Sequence, residues 1–245
     1  VEDVQRLGGF GVIAHPGSKK TTFRWTNWDL KFDALEWFNV DSEWRNESLL
    51  RLVVSPIHYL LKPSETIAEL LDRPVETLLR YDRISQLRKV AMLPGSDTHG
   101  AIPLPVLPDA RIPIGGPSFY RNAFRAFTLR VEVNQELSGA PIPDGQLIVD
   151  ALRQGRAYTV IDALASPGDL QFTATSGDQL ARIGERIETS TSVQLDVQVR
   201  MPTGGLILLK ENGETVARSN TNQLTHVSDS TSGAFRVEVL LPEIT

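Results

Sequence analysis

The chain has 245 residues and no cysteine, and its formal net charge is −5. This length allows one large domain or two ordinary ones, and because acidic and basic residues are interspersed, no basic patch favours a nucleic-acid partner. Without cysteine there are no disulfides, so any metal would be bound by His, Asp or Glu, and no window approaches the roughly 20 apolar residues of a membrane span.

The chain begins at Val1, and its first residues do not have the pattern of a signal peptide. Residues 1 to 7 predict the end of a helix that closes at Gly8 and Gly9. A start inside a helix suggests a part of a longer chain. Both a cytoplasmic and an exported location are therefore left open.

The segment Gly11-Val-Ile-Ala-His15-Pro16 predicts a brief buried strand with a histidine at its carboxyl end. Pro16 favours extended backbone at His15 and ends the strand. A histidine in this position is either a site residue or a satisfied structural residue.

The polar loop of residues 17 to 30 leaves directly from this histidine. Its cations Lys19, Lys20 and Arg24 are candidates for attracting an anionic substrate, or they are ordinary solvated charges. Its tryptophans Trp25 and Trp28 form either a lid or an aromatic wall for a ligand, and the start of the loop at the histidine favours the wall.

A third candidate site residue lies within the next predicted strand, Phe32-Asp-Ala-Leu-Glu-Trp-Phe-Asn39. Glu36 sits in an apolar run, where a glutamate is rare unless it is paired or bound to a metal. A salt bridge to an arginine is the structural alternative. Asn39 ends the strand and is expected to line the same site as the histidine that follows the previous strand.

Residues 43 to 89 predict helices, with an apolar stripe around Val53 and Val54 and helix starts near Ser64 and Pro74. A short buried strand, Val90-Ala-Met-Leu93, follows and is expected to end at Pro94-Gly95.

The sequence after that strand is Ser-Asp97-Thr-His99. In extended backbone, residues two apart point to the same side, so the carboxylate and the imidazole are expected to face one point. Capping of the next turn by Asp97, with a partly buried loop histidine, is the structural alternative.

The remainder predicts a long irregular loop over residues 101 to 117 and a helix from Asp144, as its N-cap, to Gly155. From about residue 166, short alternating segments and an Asn212-Gly213 hairpin predict a β-sandwich suited to an accessory or oligomer-forming role. His226 is expected in an exposed loop. The predicted units are 1–163, with βα alternation, and 164–245, all β.

Histidine and acidic ligands at the carboxyl ends of successive strands are how a β/α barrel builds a metal centre. Three segments also resemble the later motifs of the PHP (polymerase and histidinol phosphatase) superfamily of metal-dependent hydrolases. These segments are Gly9-Phe-Gly-Val-Ile-Ala-His-Pro-Gly17, Phe32-Asp-Ala-Leu-Glu-Trp-Phe-Asn39 and Gly95-Ser-Asp-Thr-His99. The helix that ends in Leu-Arg-Gln-Gly-Arg-Ala-Tyr158, with a predicted β-sandwich after it, is most similar to the CehA/McbA-like group of that superfamily.

The resemblance implies an α/β fold with a distorted β/α barrel, here partial, and a centre of two or three divalent ions such as Zn, Mn or Fe. His15, Asp97 and His99 would be metal ligands, and Glu36 lies in the strand where the family carries a glutamate. The family's first motifs, a His-x-His on the opening strand and further Asp-His and Glu ligands, have no counterpart in this sequence. The chain is therefore expected to hold only part of the centre.

The sequence thus predicts a hydrolase that uses metal-activated water on a small anionic ester, of the phosphoesterase type. One alternative is hydrolysis of a carboxyl or carbamate ester on the same centre, with Trp25 and Trp28 against an aromatic group. Another is a non-catalytic binding or scaffolding protein on a degenerate barrel.

Overall fold

The computed structural model describes residues 2–40, 42–43, 55, 58–59, 61–98, 102–104, 107–112, 117–165, 168–230 and 232–241, and it is a mixed α/β structure. The helices described with their bounds are α1 (Glu2–Arg6), α2 (Pro63–Glu69), α3 (Val75–Ser85), α4 (Pro117–Ala126) and α5 (Pro141–Arg153). Within these ranges no helix combines the length and the apolar character needed to cross a bilayer.

The strands of the first part are β1 (Val12–Ile13), β2 (Ala34–Asn39), β3 (Ala91–Gly95), β4 (Ile102–Leu104), β5 (Leu107–Ile112), β6 (Thr128–Val131) and β7 (Ala157–Val160). The second part contains β8 (Asp169–Ser176), β9 (Gln179–Arg182), β10 (Val193–Arg200), β11 (Leu206–Glu211), β12 (Glu214–Ser219), β13 (Gln223–Ser228) and β14 (Phe235–Leu240).

The three strands predicted to carry site residues form one parallel sheet in the order β1-β2-β3. Ala34 of β2 pairs with Val12 on one side and Ala91 on the other, and Asn39 pairs with Gly95. Because the strands are parallel, their carboxyl ends meet at one edge. In the described part of the chain this sheet stays three-stranded, and no barrel is closed.

β3 ends at Gly95, as predicted, and it includes Pro94 because in the described sheet it is an edge strand, where a missing N–H is tolerated. The prediction of an irregular loop over residues 101 to 117 is wrong. The predicted irregular loop contains an antiparallel hairpin of β4 and β5, in which Ile102 pairs with Ile112. A two-stranded ribbon has two free edges, so it tolerates proline as well.

The helix predicted from Asp144 begins at Pro141 instead. The carboxylate of Asp144 accepts hydrogen bonds from the backbone N–H groups of Ser138 (2.8 Å) and Gly139 (2.8 Å), so it organises the turn before the helix rather than capping it. Gly155 lies just past the helix at φ 71°, as predicted for its end.

The second part consists of two antiparallel sheets, β13-β10-β8-β9 and β12-β11-β14, which share one hydrophobic cluster. Leu195 and Val197 of the first sheet and Ile207 and Leu209 of the second are at most 1% exposed. The predicted Asn212-Gly213 hairpin is confirmed. Strands β9 and β13 were not predicted; His226 lies within β13 and not in a loop.

Buried charges join this second part to helix α3. The guanidinium of Arg236 on β14 donates to both carboxylate oxygens of Asp82 on α3, at 2.9 and 2.7 Å, and also to Glu238. Arg73, just before α3, donates to the two oxygens of Glu238 at 2.7 and 2.8 Å. We call these four residues the junction network.

Candidate functional site

The parallel sheet brings a histidine and an aspartate together at its carboxyl edge. His15 follows β1, Asp97 follows β3, and His15 Nε2 lies 3.5 Å from Asp97 Oδ2. Their side chains are 23% and 33% exposed, so the pair is partly open to solvent. The structure therefore places two of the four predicted metal ligands face to face.

Both residues of this pair have left-handed backbone, with φ of 53° at His15 and 41° at Asp97. The prediction of extended backbone is therefore wrong at both positions. At His15, hydrogen bonds on either side of the residue fix the turn: its N–H donates to Glu36 Oε2 at 2.9 Å, and its carbonyl accepts from Ser18 N–H at 3.1 Å. Left-handed backbone at non-glycine residues costs about 1–3 kcal/mol and is concentrated at functional sites.

Glu36 supports the backbone of His15. Besides the His15 N–H, its Oε2 accepts a hydrogen bond from Asn39 Nδ2 at 3.1 Å. Asn39 Oδ1 in turn accepts from the N–H of Ser42 at 3.1 Å, and Ser42 Oγ lies 3.3 Å from His15 Nδ1. A chain of hydrogen bonds thus runs from the backbone N–H of His15 through the side chains of Glu36 and Asn39, and then through Ser42, to the ring of His15.

Gly95 makes room for this arrangement. A Cβ atom at this position would lie 2.2 Å from Glu36 Oε1 and 3.0 Å from Asn39 Nδ2. Only a glycine on β3 leaves space for the carboxylate of β2. Sequence reasoning gave Gly95 no site role; a glycine that ends a strand next to a strand with a buried glutamate was the available signal.

A cavity of about 230 Å³ opens beside the imidazole. The turn after β1, the end of β2 and the first turn of α3 enclose it. Its lining includes the predicted site residues His15, Lys19, Glu36 and Asn39.

The other predicted loop residues lie elsewhere. Trp25 and Trp28 pack on the hydrophobic cluster of Ile13, Phe32, Leu35 and Val90, and they are not among the residues that line the cavity. Arg24 Nε donates to the carbonyl of Ser18 at 2.8 Å, which holds the loop in its turn.

The aromatic residue beside the site is Phe23, which sequence reasoning missed. Its ring stacks on that of His15 with centroids 5.7 Å apart, and the ammonium of Lys20 lies 4.2 Å from the centre of the Phe23 ring. Phe23 is 44% exposed, so part of its ring stays open to a ligand. Its place in a loop without periodicity gave no signal in the sequence.

The geometry of the pair suits a shared metal ion. Two ligands of one tetrahedral ion, at metal–nitrogen and metal–oxygen distances of about 2.0–2.1 Å, lie about 3.3 Å apart. The 3.5 Å between His15 and Asp97 is close to this value and long for a hydrogen bond. His99 lies outside the described residues, and within those residues no group of three or more His, Cys, Asp or Glu could hold a metal ion.

Comparisons of the chain with protein-family models, with curated proteins and with solved structures found no match. The resemblance to the PHP superfamily therefore stays a prediction that rests on the three sequence motifs.

Proposed function

We propose that this chain is a metal-dependent hydrolase of the phosphoesterase type, and that β1, β2 and β3 belong to a PHP-like β/α barrel. The observation that carries the proposal is the His15–Asp97 pair: an imidazole and a carboxylate 3.5 Å apart, both on left-handed backbone, at the carboxyl edge of a parallel sheet. Ligands and catalytic groups gather at this edge in barrels and open sheets.

His15 and Asp97 would hold a divalent ion through Nε2 and a carboxylate oxygen, and we propose His99 as a further ligand on the sequence pattern alone. A divalent ion bound there lowers the pKa of water and stabilises negative charge on the scissile group. Zn, Mn and Fe all accept this donor set.

The remaining residues of the site position these ligands and attract the substrate. Glu36 fixes the backbone of His15, and Ser42 Oγ, at 3.3 Å from Nδ1, favours metal binding by the opposite nitrogen of the ring. Lys19 lines the cavity, and the ammonium of Lys20 lies above the ring of Phe23, so these two side chains are the candidates for binding a phosphate group. The lining also carries the carboxylates of Glu36, Glu43, Asp72 and Glu76, so the preference for an anionic ester depends on the two lysines and not on the net charge of the cavity.

The test measures metal content and hydrolysis on the same protein samples. The full-length protein is loaded with Mn or Zn, its metal content is determined by mass spectrometry, and turnover is measured with 4-nitrophenyl phosphate. His15→Ala and Asp97→Asn are expected to lose metal and turnover together. Glu36→Gln is expected to lower metal affinity by about 10–100-fold, the usual effect of a residue that orients a ligand. His226→Ala, a histidine on β13, is the matched control and should change neither quantity.

The runner-up is hydrolysis of a carboxyl or carbamate ester, which the exposed ring of Phe23 beside His15 favours because it can contact an aromatic group. Metal-dependent turnover of 4-nitrophenyl acetate without turnover of the phosphate would select it. Absence of bound metal in the native full-length protein, or an equal loss in the His226 and His15 variants, would contradict both. That result would favour a binding or scaffolding role.

A further inference from the structure

A second and larger cavity, of about 650 Å³, lies where the parallel sheet and β7 meet the two antiparallel sheets. This volume is within the range of about 300–1,000 Å³ that is usual for small-molecule sites. Apolar side chains from both parts of the chain line it: Trp37, Met92 and Val160 from the first part, and Leu170, Phe172 and Val237 from the second.

The lining also carries cations. Lys89 and Arg186 are solvent-exposed members of it, and within the described ranges neither side chain makes a hydrogen bond or an ion pair. Burial lowers the pKa of Lys89, as do the charges of Arg156 and Arg186, while the charge of Glu185 raises it. Glu185 pairs with Arg156 at 3.0 Å. Over the whole lining, seven arginine and lysine residues stand against the four carboxylates of Asp72, Asp169, Glu185 and Glu238, so positive charge is in excess.

One polar atom next to this lining is buried and unsatisfied. Arg156, between the lining residues Gly155 and Ala157, has no hydrogen-bond partner at Nε, while its Nη2 is used by Glu185. Besides Glu185, the acids of the lining are Asp72, Asp169 and Glu238; Glu238 is bound by Arg73 and Arg236, and Asp169 accepts a hydrogen bond from the Tyr158 hydroxyl at 3.2 Å. The surplus positive charge at Lys89 and Arg186 is therefore left for a ligand.

We propose that this cavity binds an apolar monocarboxylate of the fatty-acid class. The hydrocarbon would lie against the apolar lining, and the carboxylate would meet Lys89 and Arg186, next to Arg156. An uncharged lipid would use the lining but not the cations, and a cationic amphiphile would be repelled by them. The larger cavity shares Trp37, Phe38, Asp72 and Arg73 with the cavity at His15, but His15 itself lines only the smaller one. The proposal does not depend on the function proposed there.

The test is titration calorimetry of the full chain with three ligands of equal chain length: decanoate, decanol and decyltrimethylammonium. Decanoate is expected to saturate one site, decanol to bind about tenfold more weakly, and the cation not to bind. The double variant Lys89→Gln/Arg186→Gln should weaken decanoate about tenfold, because two partly exposed charge contacts are lost, and should leave decanol unchanged. Arg218→Gln, an exposed arginine on β12, is the matched control and should behave as the native chain.

Ala165→Trp, which fills the cavity from its apolar side, should weaken decanoate and decanol alike, with circular dichroism as the check that the variant is folded. The proposal is overturned if the native chain shows no saturable binding of decanoate. Equal affinities for decanoate and decanol, or a loss in the Arg218 variant as large as in the double variant, would overturn it as well.

Discussion

Two groups of acidic and basic side chains differ in how buried they are and in how fully they are hydrogen-bonded. In the junction network, Arg236 and Asp82 are 8% and 7% exposed and share two hydrogen bonds of 2.7 and 2.9 Å. At the candidate site, His15 and Asp97 are 23% and 33% exposed, meet at 3.5 Å, and both have left-handed backbone.

This difference separates charged side chains that stabilise the fold from charged side chains that can still bind a ligand. A buried pair that is fully hydrogen-bonded has no capacity left for a ligand, whereas a partly open pair at 3.5 Å retains it. The same contrast appears in the pKa of Glu238. Although burial alone raises this pKa, hydrogen bonds from Arg73 and Arg236 lower it from 4.5 to about 2. The Glu238 carboxylate therefore stays ionised within the junction network until the pH falls to about 2.

The largest effect is expected from a variant that removes the central cation of the junction network. Arg236→Met keeps an unbranched side chain as far as the position of Nε but leaves Asp82 buried without its partner. Because an uncompensated buried charge typically costs 3–5 kcal/mol, the free energy of unfolding is expected to fall by about 4 kcal/mol in urea denaturation.

Arg182→Met is the control for this change, because Arg182 pairs with Glu132 at 3.1 Å with side chains 59% and 38% exposed. Its loss is expected to cost less than about 1 kcal/mol. Similar losses in the two variants would mean that the junction network stabilises the fold no more than a surface pair does.

Acid titration should expose the same network. Since the pKa of Glu238 is lower in the folded chain than its unfolded value of 4.5, its stabilisation is complete above pH 4.5 and is lost as the pH falls through about 2. The shift corresponds to about 3 kcal/mol of unfolding free energy, lost between pH 4.5 and pH 2. Denaturation midpoints at a series of pH values measure this slope.

Glu238→Gln should flatten the slope over this range, because the titrating group is gone. Glu132→Gln, which removes an exposed carboxylate of a surface ion pair, should keep the slope of the native chain. A slope that is equally steep in both variants would assign the acid sensitivity to other carboxylates.

Much of the local structure could be predicted from the sequence, because local signals decide it. The three apolar strands that lead to His15, Asn39 and Asp97, and the Asn-Gly hairpin, follow from short patterns of apolar, proline and glycine residues. The position of β3 at the edge of the parallel sheet could not be predicted, and this position allows the strand to include Pro94. The junction network was equally hidden, since Asp82 and Arg236 meet only through tertiary packing.

The candidate site was predicted in its composition but not in its geometry. The sequence selected His15, Glu36, Asn39 and Asp97, and all four lie at the same edge of the sheet. It gave no indication of left-handed backbone, because the His15 N–H is held by an acceptor on another strand, Glu36 Oε2. Phe23 was missed because its loop has no periodicity. Trp25 and Trp28 were expected at a ligand because their loop starts at His15, but they pack on the hydrophobic cluster.

The smallest expected effect tests whether the site depends on one close approach between strands. Gly95→Ala places a Cβ atom 2.2 Å from Glu36 Oε1, so the carboxylate has to move and its hydrogen bond to the His15 N–H is strained. Overpacking of this kind costs about 1–3 kcal/mol, and because the atoms that it meets are the ends of the Glu36 and Asn39 side chains, which can shift, we expect about 1 kcal/mol in urea denaturation. Gly145→Ala, in helix α5 with no atom within 4 Å of its added Cβ, is the matched control and should stabilise the chain by about 0.5–1 kcal/mol.

The ring of His15 should also change its chemical shift in Gly95→Ala and not in Gly145→Ala, because only the first variant disturbs the glutamate that holds the histidine in its turn. An unchanged His15 resonance in a destabilised Gly95→Ala variant would mean that Glu36 does not transmit the position of β3 to the site.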